Sequence, residues 1–404
     1  MFWKVLCFSR AVMPAVLRAL LFAVVVALIS VRVSAATRPP HVIFIVADDL
    51  GYNDVSVHGS PQIPTPAIDA LAREGVLLGN YHVQPVCSPS RSTFLSGRHV
   101  IHTGVYTPWA SNTNDHLNLS YSLLPTFLQN CCGYYTVAIG KWHIGDSVMA
   151  ALPVSRGFNE SLGFWSGGQD YLTHWDVNSG GYDMMENSTI RADLNNSWTT
   201  EIFAQHAVDT IARFSPASDE RLFMYLAFQN VHWPLMAPQS YIDRFANTTG
   251  NNTERQLVCA MAAFLDDGIA NVTAALKRAG IYDNTVIIFT SDNGGPTNSD
   301  ENTQSNNFPL RGGKNTLFVR DAAAVAPPRT PTALNPPFPP PPCSSGGRHA
   351  GRRPRRGRWR RQDGVHAPRK GARDRLATVA RLNGDWRRGL PQVRARRRAA
   401  VLAR

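Results

Sequence analysis

The sequence HVIFIVADDLGYND, residues 41–54, begins with a run of apolar, mostly β-branched side chains and then turns abruptly to aspartate. The run His41–Ala47 does not alternate between polar and apolar residues, which is typical of a strand buried on both faces. Strands of that kind occur in parallel sheets that helices cover on both sides. The stretch therefore predicts a central parallel strand whose carboxyl end carries Asp48 and Asp49.

Outward from this stretch, apolar runs alternate with helical patterns. Three further runs are strand candidates: Tyr134–Gly140, Leu222–Phe228 and Thr285–Thr290. Residues Pro66–Gly75 predict a short helix, with proline near its start and glycine at its end. Between the last two strands, Gln256–Ala279 places apolar residues three or four positions apart on one helical stripe. Strands that alternate with helices predict an α/β fold with a mainly parallel central sheet flanked by helices.

Oxygen-bearing side chains follow both the first and the last predicted strand. Asp48 and Asp49 end the first, and Asp292 and Asn293 follow the last, in IIFTSDNGG. Ligands of doubly wound sheets collect at the carboxyl ends of strands, and carboxylate and amide oxygens suit a hard divalent cation such as Ca²⁺ or Mg²⁺. Asp-Asn-Gly is also a good turn sequence, so each pair alone is compatible with a turn. The two pairs together favour a metal site.

Cys87 lies in PVCSPSRSTFLSGR, residues 85–98, with no histidine beside it in the sequence. A plain thiol nucleophile is therefore weakly supported, and a buried structural cysteine is the ordinary alternative. The pattern C-S-P-S-R, from Cys87 to Arg91, sets this cysteine apart. The segments ADDLGYND, TPAIDALAREG, CSPSRSTFLSGR, GKWHIG and FTSDNGG occur in the order and context of the sulfatases. From about Pro40 to Leu317 the chain resembles the N-terminal catalytic part of an arylsulfatase, and it is most similar to the arylsulfatase B (N-acetylgalactosamine-4-sulfatase) group.

The resemblance implies the sulfatase or alkaline-phosphatase-like superfold and a modified nucleophile. A dedicated enzyme of the secretory pathway, which reads Cys87, Pro89 and Arg91, would oxidise Cys87 to formylglycine. The hydrated aldehyde, a gem-diol, would attack the ester sulfur in line and expel the alcohol, and its second hydroxyl would then release sulfate. A thiol would not serve, because only the gem-diol can eliminate a covalent sulfate internally. The implied reaction is the hydrolysis of sulfate esters on sulfated carbohydrates or aryl alcohols.

The resemblance also implies roles for the residues around that nucleophile. Preorganised positive charge is the main source of rate when charge builds on a leaving oxygen. Ca²⁺, with Mg²⁺ as the alternative, would be held by Asp48, Asp49, Asp292, Asn293 and the modified Cys87. The implied catalytic roles are stabilisation of formylglycine by Arg91, binding of sulfate and hydrated aldehyde by Lys141 and His143, general acid catalysis by His232, and a clamp on a sulfate oxygen by Lys314. Taken singly, Lys141 has an ordinary alternative as a solvated charge and Lys314 as a loop charge. His143 and His232 have one as satisfied core or turn histidines.

Other functions stay open at this point. A phosphoester or phosphonate hydrolase of the same superfold can share the metal and the formylglycine, and a truncated, catalytically silent secreted glycoprotein would carry the same motifs. Members of the family continue past Lys314 into further strands and a C-terminal subdomain that is not recognisable here. We therefore expect the catalytic domain, residues 37–318, to be incomplete. We also expect the chain as written to fold poorly or to lack activity. Without the subdomain, the sheet and its helices lose part of their apolar cover. Because apolar burial stabilises by about 25 cal/mol per Å², losing several hundred Å² of cover could remove the whole net stability of about 5–15 kcal/mol.

The N-terminal residues and the sequons indicate the secretory pathway. Residues 1–36 combine a positively charged start, an uncharged run over residues 19–31 and small residues at 34–36, which is the layout of a cleaved signal peptide. The run is short for a membrane span, so we expect no stable span, with an uncleaved anchor as the alternative. An extracellular or lysosomal location is further supported by seven N-x-S/T sequons, at Asn118, Asn159, Asn187, Asn195, Asn247, Asn251 and Asn271.

The net charge of +12 belongs to the end of the chain. Residues 1–318 hold 19 Lys+Arg and 25 Asp+Glu, whereas residues 319–404 hold 22 Lys+Arg and 4 Asp. The mildly acidic body gives no reason to expect a nucleic-acid partner. The Arg/Pro-rich segment 319–404 indicates either an out-of-frame or mis-spliced reading or a real basic tail, and in both cases disorder. Cys131 and Cys132 are adjacent, and we expect them not to pair because a bond between neighbours strains the backbone.

Overall fold

A mixed β-sheet forms the centre of the part of the chain that the structure describes. The computed structural model describes residues 39–111, 113–297, 303–316 and 324–326. The signal peptide expected at residues 1–36 and most of the tail expected from residue 319 lie outside them. The strands within the described residues are β1 (His41–Ala47), β2 (Val76–Leu78), β3 (Tyr134–Lys141), β4 (Glu160–Phe164), β5 (Met185–Glu186), β6 (Thr189–Ile190), β7 (Arg221–Ala227), β8 (Thr285–Ser291) and β9 (Ala324–Ala326).

The middle of the sheet is parallel, in the order β8-β1-β7-β3-β4, and antiparallel pairs extend it on both sides. Ala47 at the end of β1 lies opposite Ser291 at the end of β8, and Gly140 in β3 lies opposite Ala227 at the end of β7. The parallel strands therefore end along one edge of the sheet. The predicted α/β class with a mainly parallel sheet is confirmed, and each predicted strand is present with its ends within one residue.

Helices cover both faces of the sheet. Those in the described residues are α1 (Pro66–Glu74), α2 (Cys87–Ser96), α3 (Val100–Thr103), α4 (Leu124–Cys132), α5 (Thr199–Ile211), α6 (Gln239–Asp243) and α7 (Thr253–Arg278). Helices α1, α5 and α7 share one buried core with the sheet, and α2 and α4 pack on the other face. Among the described helices, α7 is long and apolar enough to cross a membrane, but 67% of its most apolar window is buried inside the protein. Helix α7 is thus a core helix.

The structure differs from the expectations at one short segment of the tail and at one pair of cysteines, and the disorder expected of the rest of the tail stays a prediction. The segment Ala324–Ala326, inside the tail expected to be disordered, forms β9, and Val325 lies opposite both Leu77 and Phe289. A short apolar segment is ordered here because β2 and β8 both present backbone groups to be paired. Cys131 and Cys132 form a disulfide. They are the last two residues of α4, directly before the left-handed Gly133, so no further helical turn follows them.

A buried ion pair ties three parts of the chain together. Asp54, in the loop after β1, is fully buried and accepts a hydrogen bond from Arg255 Nη1 of α7 at 2.6 Å. Its second oxygen accepts from the backbone N–H of Asn306 at 3.0 Å, and Arg255 also donates to the carbonyl of Gln304. Burial raises the pKa of Asp54 despite the guanidinium beside it. The pair fixes the start of segment 303–316, which carries Lys314, against the end of β1.

We expect Asp54→Ala to lower the free energy of unfolding by about 3–5 kcal/mol, because it leaves the Arg255 guanidinium buried without its counter-ion. The measurement is urea unfolding followed by circular dichroism. The matched control is Asp193→Ala, which breaks the ion pair with Arg191 at the surface and should change stability little. Equal effects of the two substitutions would contradict this reading of the pair.

Candidate active site

The oxygen side chains expected to lie together do so at the ends of β1 and β8. The backbone N–H of Asp49 donates to Asp292 Oδ1 at 3.2 Å, and Asn293 Nδ2 donates to Asp49 Oδ1 at 2.6 Å. Asp48, Asp49, Asp292 and Asn293 are all fully buried. Asp49 has a left-handed backbone, with φ of 59°, a conformation that is uncommon outside glycine and clusters at functional sites. The structure thus brings both strand ends into one pocket.

Cationic side chains balance these carboxylates. Arg91 donates from Nε and Nη2 to Asp292 Oδ2, at 3.0 and 2.8 Å. Lys141 Nζ lies 2.6 Å from Asp48 Oδ2, and Lys314 Nζ lies 2.8 Å from Asp49 Oδ2. Burial and the nearby Asp292 raise the pKa of Asp48 to about 8. Burial acts in the same sense on Asp49, but the charge of Lys314 outweighs it and lowers the pKa of Asp49.

The donor set fits a hard divalent cation. Asn293 Oδ1 is buried and has no hydrogen-bond partner within the described part of the chain, because the amide nitrogen makes the contacts of this side chain. Ligand atoms of Asp48, Asp49, Cys87 and His232 all lie within 4.8 Å of one another. A buried orphan oxygen beside several carboxylates is costly unless a cation satisfies it. Oxygen donors of this kind are those that Ca²⁺ and Mg²⁺ prefer.

Cys87 is the first residue of α2 and points into this pocket. Its thiol donates to Asp48 Oδ1 at 3.7 Å, and Lys141 Nζ lies 3.4 Å from Sγ. Burial, together with the charges of Asp292 and Asp48, raises the pKa of the thiol far above its ordinary value. The C-S-P-S-R spacing has a structural reason, because residues four apart share a helix face and Arg91 therefore lies beside Cys87. Pro89 lies in the first turn of α2, where no intrahelical hydrogen bond is lost.

Lys141 and His143 come from the end of β3. Gly140 precedes them at a close approach, since a Cβ there would lie 1.9 Å from the carbonyl oxygen of Ala227. His143 Nε2 lies 2.8 Å from the carbonyl oxygen of Trp109, which assigns the proton of the neutral ring to Nε2. Nδ1 is buried and unpartnered among the residues that the structure describes. Burial and the charge of Lys141 lower the pKa of His143, so the ring is neutral.

His232 lies in the loop after β7, next to Lys314. Its Nδ1 lies 2.5 Å from the carbonyl oxygen of Trp233, and its Nε2 lies 3.2 Å from Lys314 Nζ. Burial and the neighbouring Lys314 lower the pKa of His232. The ring is therefore neutral, with Nδ1 protonated and Nε2 accepting from the ammonium group. The other residues expected to be catalytic or metal-binding contact one another in this cluster, and His143 lies close enough for the charges of Lys141, Arg91 and Lys314 to act on it.

The groups that orient the histidines could not be found from the sequence. They are backbone carbonyls, of Trp109 and Trp233, and a backbone carbonyl leaves no mark in the amino-acid pattern. The sequons lie apart from the cluster. Asn187 is half-buried, with its side-chain oxygen accepting from the N–H of Ser161, and the asparagines of the other six sequons are exposed. Glycosylation stays a prediction.

Comparison with known proteins gives relatives over most of the described region. A family model described as Sulfatase matches residues 40–322. Arylsulfatase J of Mus musculus is 42% identical over 298 residues, which are 72% of this chain and 48% of that protein. N-acetylgalactosamine-6-sulfatase of Homo sapiens is 30% identical over 310 residues, which are 70% of this chain and 56% of that protein. The chain spans about half the length of the curated relatives it matches. The narrower resemblance to the arylsulfatase B group stays a prediction.

Solved structures share the fold. The crystal structure of Ps i-CgsB in complex with k-i-k-neocarrahexaose is 30% identical, with a TM-score of 0.66, and covers 72% of this chain and 66% of its own. The PsFucS1 sulfatase from Pseudoalteromonas sp. is 24% identical, with a TM-score of 0.60 and coverage of 75% and 64%. The second likeness supports the fold alone.

We expect Ca²⁺ or Mg²⁺ to raise the melting temperature and chelation to lower it, because a cation at about one hundred times its dissociation constant stabilises the folded state by about 2.7 kcal/mol. Asn293→Ala, which removes the orphan oxygen, should reduce this cation-dependent shift, as measured by differential scanning fluorimetry. The exposed Asn114→Ala serves as the control. An unchanged shift in Asn293→Ala would exclude this oxygen as a ligand.

Proposed function

The chain belongs to the sulfatase family, and on that premise we propose that it hydrolyses sulfate esters at the pocket formed by the ends of β1, β3 and β8. The observation that carries the proposal is the position of Cys87 Sγ, which lies 3.7 Å from Asp48 Oδ1 and 3.4 Å from Lys141 Nζ. The residue of the C-S-P-S-R pattern thus occupies the point where carboxylates and cations meet. A sulfate ester carries negative charge, which such preorganised cations stabilise.

Residue 87 would act as formylglycine, produced from Cys87 by a formylglycine-generating enzyme that reads Cys87, Pro89 and Arg91. The group supplies a hydrated aldehyde whose hydroxyl is the nucleophile. Ca²⁺, or Mg²⁺ in its place, would be held by oxygens of Asp48, Asp49, Asp292 and Asn293 together with residue 87, and it supplies charge neutralisation for the bound sulfate. The orphan Oδ1 of Asn293 supports this assignment.

The cationic side chains would bind and orient the ester. Lys141 Nζ is within reach of residue 87 and of Asp48, so it would donate a hydrogen bond to an oxygen carried by residue 87. Arg91 holds Asp292 through two nitrogens and also donates to the carbonyl of Lys141 at 2.9 Å. It would therefore keep the metal-binding carboxylate and Lys141 in place. Lys314, beside Asp49 and His232, would clamp a sulfate oxygen.

The two neutral histidines would divide the proton transfers. The buried Nδ1 of His143 is a free acceptor among the described residues and suits the hydrogen of a hydroxyl group on residue 87. Nε2 of His232 shares the ammonium proton of Lys314. We expect this pair to act as one titrating unit that passes a proton through Nε2 to the leaving oxygen. His232 remains the residue that donates, with Lys314 as the source of its proton.

The substrates would be sulfated carbohydrates or aryl sulfates. Support comes from relatives named as an arylsulfatase and an N-acetylgalactosamine-6-sulfatase, and from a solved relative in complex with a neocarrahexaose. We further propose that the protein enters the secretory pathway and is extracellular or lysosomal, since cysteine oxidation to formylglycine and N-glycosylation both take place there. The exposed asparagines of six sequons are compatible with glycans.

Turnover of 4-nitrophenyl sulfate by the full chain produced in secretory cells would contradict the expectation that the chain as written is inactive, and we expect Cys87→Ala to abolish any such turnover. Peptide mass spectrometry of the unsubstituted protein should show an aldehyde in place of the thiol at residue 87. The matched control is Cys259→Ala, because Cys259 is the other buried free cysteine of the described residues and lies in α7, away from the pocket. An unmodified thiol together with sulfate turnover would refute the formylglycine assignment.

We expect the protein to hydrolyse 4-nitrophenyl sulfate faster than 4-nitrophenyl phosphate, by about tenfold or more. The additional negative charge of the phosphate ester would lack a partner in the buried site, and an unpaired buried charge costs at least about 1.4 kcal/mol. Steady-state kcat/KM for the two esters, which share one leaving group, is the measurement. A preference for phosphate would favour a phosphoester hydrolase of the same superfold, and no turnover of either would favour a silent glycoprotein.

A further inference from the structure

Gly167 and Gly168 follow β4 and lie directly against the two histidines of the pocket. A Cβ built on Gly167 would lie 3.0 Å from Cε1 and 3.1 Å from Nε2 of His143. A Cβ built on Gly168 would lie 3.0 Å from Cε1 and 3.1 Å from Nδ1 of His232. Non-bonded carbon atoms are at their best separation at about 3.5–4.0 Å. A side chain at either glycine therefore has to displace the ring beside it.

Backbone conformation gives no reason for glycine at these two positions. Neither Gly167 nor Gly168 is in the left-handed region, in contrast to Gly180 and Gly181 of the following loop, with φ of 70° and 145°. An alanine could adopt such a backbone. The space beside the histidine rings is thus what requires glycine here.

A ring that moves away from an added Cβ changes the geometry of the hydrogen bond that orients it. The Cβ of residue 167 would meet the Nε2 edge of His143, and that nitrogen is held by the carbonyl of Trp109. The Cβ of residue 168 would meet the Nδ1 edge of His232, which is held by the carbonyl of Trp233. Each glycine therefore lies against the ring nitrogen that donates to a backbone carbonyl. The other ring nitrogen, Nδ1 of His143 or Nε2 of His232, remains the acceptor.

The dipeptide is held by hydrogen bonds as well. Asp183 accepts from the backbone N–H groups of Trp165 and Ser166, at 3.1 and 2.9 Å. The carbonyl of Gly168 accepts from the N–H of Val177 at 3.2 Å and from the hydroxyl of Ser166 at 3.4 Å. These bonds fix the segment to the end of β4 and to the loop beyond it. The two glycines thus lie in a hydrogen-bonded segment beside the two rings.

We propose that Gly167 and Gly168 are positioning residues, with Gly167 setting the ring of His143 and Gly168 setting the ring of His232. One dipeptide thereby places both histidines. The catalytic consequence rests on the proposed sulfatase function, whereas the contacts between glycines and rings do not. The proposal is therefore tested first by a measurement that needs no turnover.

The primary experiment is a carbon–proton correlation spectrum of the full chain with ¹³C at Cε1 of histidine. His143→Gln and His232→Gln assign the two signals. Gly167→Ala should shift the His143 signal and leave that of His232, and Gly168→Ala should do the reverse. Gly79→Ala is the control, because a Cβ there meets nothing within 4 Å and its backbone is not left-handed. Signals that move no more in the two variants than in Gly79→Ala would overturn the proposal.

A double-mutant cycle covers the case in which Gly168→Ala folds poorly. If the added methyl group clashes with the ring, Gly168→Ala should lower the melting temperature much less in the His232→Ala background than in the unsubstituted chain. The loss caused by Gly167→Ala should be the same in both backgrounds. Additive losses in the Gly168→Ala/His232→Ala pair would show that the methyl group acts elsewhere, and would refute the assignment of Gly168 to His232.

Kinetics then separate positioning from a general loss of structure. Because His232 is assigned to the leaving oxygen, Gly168→Ala should lower kcat more for an alkyl sulfate than for 4-nitrophenyl sulfate, by about tenfold or more. Gly167→Ala should lower kcat for both esters alike. Equal losses for both esters in Gly168→Ala would overturn the proposal for this residue. An inactive unsubstituted chain would count against the proposed function for this chain and agree with the expectation that its catalytic domain is incomplete, and the spectra and the cycle would still decide on the glycines.

Discussion

The pocket depends on holding like charges together out of water. Asp48, Asp49 and Asp292 are fully buried at the ends of two neighbouring parallel strands, and carboxylates so placed repel one another and lose their hydration. Arg91, Lys141 and Lys314 offset that cost, each through a contact of 2.6–2.8 Å with one of the carboxylates. These cations come from α2, the end of β3 and segment 303–316. Their positions explain why so much of the fold converges on this edge of the sheet.

The features of this arrangement that depend on the type of side chain can be predicted from the sequence. The uninterrupted apolar run His41–Ala47 is a strand with those bounds, because burial on both faces leaves no room for polar residues. The paired carboxylates were recognisable because such residues directly after a buried strand are rarely without a partner. Cys87 and Arg91 were recognisable from their spacing. The resemblance to the sulfatases added the roles of Lys141, His143, His232 and Lys314, whose residue types alone are compatible with many others.

The features that depend on backbone atoms or on pairing between distant segments could not be predicted. Strand β4 (Glu160–Phe164) contains a serine and a glycine and has no strong apolar period, yet it is fixed by parallel pairing with β3. The carbonyls of Trp109 and Trp233 hold the histidines through atoms that every residue possesses. Gly167 and Gly168 look like ordinary loop glycines until the rings beside them are seen. The strand Ala324–Ala326 forms because two neighbouring strands are there to be paired, which local composition does not reveal.

The contact between the backbone of Asp49 and the side chain of Asp292 joins residues 243 positions apart. A chain emerging from the ribosome therefore exposes its first carboxylates, and the segment around Cys87, long before their partners exist. Once Asp292, Asn293 and Lys314 have been synthesised and have folded into place, Cys87 is only 2% exposed and is no longer accessible to a second protein. The order of synthesis thus sets a limited period for any enzyme that alters this cysteine, and the closing of the sheet ends that period.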